Sequence, residues 1–125
     1  PDFGGDSSKV EHELKSVQQV QATHSAFAAI LSDGSVITWG RQHAGGDSSA
    51  VQDQLKGVQQ IQATGSAFAA IMEDRSIIAW GDPDFGGNSC KVQHQLRSVE
   101  MVQATTWAFA AILADGSVIT WGDSE

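Results

Sequence analysis

The sequence is short of several things, and each shortage removes a class of protein. It holds one cysteine, Cys90, so no internal disulfide can form. That excludes the small secreted domains held together by disulfides. A lone cysteine is compatible with the cytoplasm but does not fix the compartment. Only two prolines are present. Basic residues are also scarce, with seven Lys and Arg against fifteen Asp and Glu and a net charge of −8. Binding to nucleic-acid phosphate needs a basic face, so the charge balance argues against such a partner. It argues equally against an anionic membrane surface. No apolar run reaches membrane-spanning length and no signal peptide is visible. The first residue is Pro1 rather than Met, which suggests processing or excision from a longer chain.

What is present is globular in character. Hydrophobic residues make up 41% of the 125 positions and charged residues 18%. Thirteen glycines announce frequent tight turns. The dominant feature is an internal repeat. Trp39-Gly40, Trp80-Gly81 and Trp121-Gly122 follow one another at intervals of 41 residues. The same interval aligns Ala26–Ile30 with Ala67–Ile71 and Ala108–Ile112, and Gln21–Thr23 with Gln62–Thr64 and Gln103–Thr105. The chain therefore reads as one domain of three units: 1–40, 41–81 and 82–122. Repeats of this length cannot each bury an apolar face alone and must pack on one another.

Within a unit the pattern changes character. A glycine-rich loop, Phe3-Gly4-Gly5-Asp6-Ser7-Ser8, leads into apolar Val10, Leu14 and Val17 at helical spacing. Ser8 with Glu11 and Ser49 with Gln52 have the spacing of a capping box, with Cys90 opposite Gln93 in the third unit. This predicts a helix of about two turns. The period then becomes two. Val20–Thr23 reads as a half-buried strand, Ala26–Leu31 as an apolar one, and Val36–Trp39 as the third. Between the last two, Ser32-Asp33-Gly34-Ser35 is a hairpin signal. Asp74-Arg75 replaces Asp-Gly in the second unit, and the cost of Arg at positive φ predicts a change of turn type there. The fold class expected is mainly β with short helices. It comprises three tandem units, each a helix plus three antiparallel strands, with pseudo-threefold repetition. Phe27, Phe68, Phe109, Ile30, Ile71 and Ile112 are the expected shared core.

The run Val17–Gly40, with its alternating strand, Ala-Phe-Ala-Ala-Ile, Asp-Gly-Ser-Val and closing Trp-Gly, resembles the repeat of the regulator of chromosome condensation (RCC1) family. It is nearest to the divergent repeats called HERC-like in large ubiquitin-ligase-type sequences. The resemblance spans all three units, while the Gly-Gly-Asp-Ser-Ser segment departs from the usual blade. It implies propeller blades and a platform that binds other proteins. Members form rings of about seven blades, which three units cannot complete. Either two chains build a larger ring, or the three units close into a compact body. The helix in each unit, free to cover a sheet face, favours the compact body. No exchange-factor or ligase residue carries over.

No catalytic, metal or cofactor site is expected. Gly5-Asp6-Ser7 and Gly46-Asp47-Ser48 resemble hydrolase nucleophile segments, but helix-entry geometry explains them and Asn88 breaks the series. His12 aligns with His94, but the second unit has Asp53. Three polar or aromatic sets recur and could form three equivalent ligand pockets. They are Trp39, Trp80 and Trp121; Gln21, Gln62 and Gln103; and Asp33, Asp74 and Asp115. Such pockets would suit a carbohydrate and make the chain a multivalent, lectin-like or otherwise secreted bioactive protein. The plainer account is core packing for the tryptophans and strand-end hydrogen bonding for the rest. Departures from the repeat carry more information, because symmetry does not account for them. Trp107 replaces Ser25 and Ser66, Met101 replaces Gln19 and Gln60, and Arg75 interrupts the glycine series. These three are the expected partner-binding residues. The function expected is a non-enzymatic scaffold for protein–protein interaction, with a homo-oligomer as a further option.

Overall fold

The computed structural model describes residues 17–49, 51–89 and 92–122. Among these residues nine strands form three separate antiparallel sheets. Strands β1 (Val17–Ala22), β2 (Ala26–Leu31) and β3 (Val36–Gly40) form the first. Strands β4 (Val58–Ala63), β5 (Ala67–Met72) and β6 (Ile77–Gly81) form the second. Strands β7 (Val99–Ala104), β8 (Ala108–Leu113) and β9 (Val118–Gly122) form the third. The alternating residues fall where their period of two puts them. The register repeats as well: Ala22 opposes Phe27, which opposes Trp39, and the same trio recurs as Ala63, Phe68, Trp80 and Ala104, Phe109, Trp121. Each first strand also carries a bulge, at Val17/Gln19, Val58/Gln60 and Val99/Met101.

The helices are shorter than the sequence pattern suggests. Between β3 and β4 there are two single 3₁₀ turns, Gln42–Ala44 and Gln52–Gln54. Pro83–Phe85 and Gln93–Gln95 repeat them between β6 and β7. The expected capping box of Ser49 with Gln52 does not form. Ser48 donates instead to Gln52 Oε1 at 2.7 Å, and Ser89 to Gln93 Oε1 at 2.6 Å. The glutamine amides then reach back to the carbonyls of Val36 and Ile77 in the preceding sheet. A segment that commits its side chains to the neighbouring sheet gains little from a second helical turn, whose nucleation is costly. Leu55 leaves the helical region at ψ 65°, and Gly57 turns the chain with φ 69°. The first unit's proposed cap, Ser8 with Glu11, and Cys90 lie outside the described residues.

The sheets stack in chain order through two equivalent joints. At the first, Ala26, Ala28, Ile30 and Val36 of one sheet meet Val58, Ile61, Phe68, Ala70 and Trp80 of the next. Ala44 and Leu55 fill the space between them. At the second, Ala67, Ala69, Ile71 and Ile77 meet Val99, Val102, Phe109, Ala111 and Trp121, with Leu96 between. The middle sheet is thus covered on both faces, and β5 is buried along its whole length. Each joint is also pinned by backbone hydrogen bonds. Val58 N–H donates to Gly34 O and Val99 N–H to Arg75 O, both at 3.0 Å. The Arg75 turn keeps the type of its neighbours. Arg75 adopts φ 70° and donates to Met72 O at 2.9 Å, as Gly34 does to Leu31 O.

The expected compact closure does not occur among the described residues, where the units form an open series. Val20 is 48% exposed where Ile61 and Val102 are sealed, and Val118 is 57% exposed where Val36 and Ile77 are sealed. Single turns of 3₁₀ helix are too small to cover a sheet, so each face depends on the next sheet instead.

Candidate interaction surface

The repeated residues are mostly spoken for by the fold. Trp80 and Trp121 are buried, and their indole N–H groups donate to the carbonyls of Gly45 and Gly86 at 3.2 and 3.0 Å. Each tryptophan lies against the phenylalanine opposite it in register, as Phe27–Trp39, Phe68–Trp80 and Phe109–Trp121, with centroids 5.3 to 5.4 Å apart. Such pairs add to area burial through ring geometry. Gly45 and Gly86 pass over the Phe faces so closely that a Cβ would lie 2.5 Å from the ring. This close approach, at φ 103° and 99°, explains the first glycine of the recurring Gly-Gly; the second, Gly46 or Gly87, lies against the carbonyl of Gly40 or Gly81.

The aspartates of the turns have an equally local role. Asp33 Oδ1 accepts from the backbone N–H and the hydroxyl of Ser35, at 2.9 and 2.6 Å. Asp74 with Ser76 and Asp115 with Ser117 repeat the arrangement. These serine hydrogen bonds hold all three carboxyls below their ordinary value. Asp47, which accepts from Ser49 N–H and Gln42 Nε2, is lowered to about 2, with Ser49 the principal cause.

The structure does not gather the three recurring sets into one pocket. Within a unit, Asp33 sits at the β2–β3 turn, while Trp39 lies at the opposite end of the sheet, paired with Phe27. Five residues of extended chain separate the two ends, about 17 Å. Gln21 is on β1, separated by β2 from the strand that carries Trp39. Two equivalent shallow grooves do border the tryptophans. One is lined by Gln42, His43, Asp47, Trp80 and Pro83, and the other by Pro83, Asn88, Val92, Thr120 and Trp121. Neither includes a member of the glutamine set or of the turn aspartates. Among the described residues, no three of His, Cys, Asp and Glu cluster as metal ligands would. Among the described residues no helix is long and apolar enough to cross a membrane.

Two of the three exceptional residues stand on the surface as apolar groups. Trp107 is 47% exposed and Met101 45% exposed. Trp107 stacks on Phe85, with centroids 5.1 Å apart and planes at 27°. In the first unit the matching position is Ser25, which is buried. Arg75 is exposed too, but it lies at the β5–β6 turn, whereas Trp107 adjoins β8 at the other end of the sheets.

The recurring threonines were not singled out in the sequence as joint residues, yet they link units. Thr23 donates to Ala44 O at 2.9 Å and Thr64 to Phe85 O at 2.7 Å. Thr105 accepts from Trp107 and Ala108 N–H, as Thr23 and Thr64 accept from Ser25 and Ser66 N–H. The Gln-Ala-Thr repeat was the available signal.

Stacked three-stranded antiparallel sheets with this register define an array of propeller blades, and solved structures bear out the class. The chain has an RCC1-like partial β-propeller fold. Prp20p from Saccharomyces cerevisiae, the yeast RCC1, matches over 85% of this chain and 30% of its own, with TM-score 0.60 and 15% identity. Human WBSCR16 matches over 96% of this chain and 36% of its own, with TM-score 0.58 and 19% identity. The CRINKLY WD40 ectodomain of the Arabidopsis thaliana receptor kinase ACR4 matches over 85% and 38%, with TM-score 0.57 and 20% identity. The chain therefore spans about a third of the length of each. No family model matches it, nor does any curated protein sequence.

Proposed function

We propose that the chain is a non-enzymatic, HERC-like repeat scaffold, one domain of three units, that binds a protein partner through its third unit. The observation that carries this reading is the pair Trp107 and Met101. Both are large, apolar and nearly half exposed, at positions where the other units carry Ser or Gln. Exposed Trp and Met are unusual on a solvent face and characteristic of interface centres. Stacking on Phe85 fixes the Trp107 ring before any partner arrives, which lowers the ordering cost of binding. Arg75, exposed at the far end of the sheets, would be a second and separate contact. The fold supports a protein partner, since Prp20p has binding properties toward Gsp1p and histones and was solved with Kap60.

The test is a comparison of wild-type and Trp107→Ala chains as immobilised baits, with Met101→Gln as the milder variant. The reading predicts a protein retained by the wild type and lost from Trp107→Ala. Equal retention by both chains would overturn it. The carbohydrate alternative rests on the two grooves beside Trp80 and Trp121. It predicts glycan-array signal and quenching of tryptophan fluorescence by the glycans that bind. Silence in both would end it.

A further inference from the structure

Four positions depart from the repeat together at the joint between the second and third units. Where the first joint has Arg41, His43, Ala44 and Ser66, the second has Asp82, Asp84, Phe85 and Trp107. A guanidinium and an imidazole give way to two carboxylates, and two small side chains to two aromatic rings. The rings are the stacked pair, so Trp107 leans toward the second unit and is still 47% exposed. The backbone beneath them is held from several sides. Asp82 Oδ1 accepts from Asp84 N–H at 2.9 Å, Pro83 begins the turn, and Phe85 N–H donates to Asp82 O at 3.0 Å. Phe85 O accepts from the Thr64 hydroxyl at 2.7 Å, and Trp107 N–H donates to Thr105 Oγ1 at 3.2 Å. Asp84 precedes Phe85 in the same turn and is exposed.

We infer, on the basis that Trp107 is the partner contact proposed above, that this platform takes an arginine side chain from a basic segment of the partner. The guanidinium lies on the Trp107 ring and pairs at its edge with the carboxylates of the Asp82–Phe85 turn. A ring face carries negative charge at its centre, and an indole attracts a cation within about 6 Å more strongly than the other side-chain rings do. Guanidinium is planar and weakly hydrated, so it stacks on a ring while its N–H groups still reach carboxylates. The rings alone would accept any apolar group, whereas the aspartates beside them select positive charge. An arginine in place of Asp82, as Arg41 is at the first joint, would repel the same cation. The net charge of −8 draws a basic segment toward the chain and turns an acidic one away.

Fluorescence polarisation of a labelled peptide tests it. The probe is a short peptide of alternating arginine and glycine, beside the same peptide carrying citrulline, which keeps the shape of arginine without its charge. The wild-type chain binds the arginine peptide about tenfold more tightly than the citrulline peptide, and added salt weakens the binding. Trp107→Ser, the residue of the other units, weakens it about tenfold with an unchanged circular-dichroism spectrum, and Trp107→Phe recovers part of the loss. Asp84→Asn weakens it about threefold. Glu73→Gln makes the same change of net charge at the β5–β6 turn, at the other end of the sheets, and leaves binding unchanged. Three results would overturn the inference. The wild type could fail to bind the arginine peptide, Trp107→Ser could bind it as well as the wild type, or Asp84→Asn and Glu73→Gln could weaken it equally. Either of the last two would mark attraction to the acidity of the whole chain. Should Trp107→Ser unfold, the comparison of Asp84→Asn with Glu73→Gln decides. If a protein is retained by the wild type and lost from Trp107→Ala while the arginine peptide does not bind, the partner contact stands and its cationic chemistry falls.

Discussion

A single residue, Arg75, shows how firmly the joint dictates local conformation. Arg suits a left-handed backbone poorly, yet Arg75 holds φ 70° where Gly34 and Gly116 hold 84° and 86°. Its carbonyl must point at Val99 N–H, and only this turn aims it there. Arg75→Gly should therefore stabilise the chain by about 1 kcal/mol, read from the midpoint of chemical denaturation. A loss of stability would mean that the side chain contributes more than its backbone strain costs. The aspartates give a pH signature. Their folded-state values lie below the ordinary 3.8, so their contribution is complete above that pH. It is lost as pH falls through the folded-state values, about 2 for Asp47. Denaturation midpoints should decline from about pH 4 downward, and Asp47→Asn should flatten the lowest part of that decline. A midpoint independent of pH between 4 and 2 would contradict the hydrogen-bonded geometry. At this scale the sequence was readable for Asp-Gly-Ser, whose turn chemistry is local. It was not readable for Ser48, Ser89 and the threonines, whose partners belong to other elements.

At the scale of elements, equivalent strands have unequal worth because they have unequal neighbours. Ile77 and Val118 open β6 and β9 at the same point in the repeat, yet Ile77 is sealed and Val118 is open. Ile77→Ala should cost about 2–5 kcal/mol, and Val118→Ala no more than about 0.5. Similar losses at both sites, measured by urea denaturation at low concentration, would contradict the open end. All nine strands were legible from periodicity, because pleat and burial impose the period locally. The Phe–Trp pairs were legible as core for the same reason. The short helices were overread. Apolar spacing of Val51 and Leu55 suits a helix, but those residues serve the joint between sheets, and a single turn suffices to present them. Closure was not legible either. Identical sequences such as Ala-Phe-Ala-Ala-Ile carry no mark of which face will find a neighbour.

At the scale of the whole molecule, the account is an open series of blades with a sealed centre and two outer faces. Function is placed where the series is irregular, at Trp107 and Met101. The sequence itself supplies a measurement of this arrangement. Strands β2, β5 and β8 read Ala-Phe-Ala-Ala-Ile-Leu, Ala-Phe-Ala-Ala-Ile-Met and Ala-Phe-Ala-Ala-Ile-Leu, so their intrinsic exchange rates are nearly equal. Any difference in amide exchange among them reports structure alone. Hydrogen exchange followed by mass spectrometry should find β5 the slowest, with β2 and β8 faster. Equal protection of all three strands would show that the units close on one another, and the open series would be wrong.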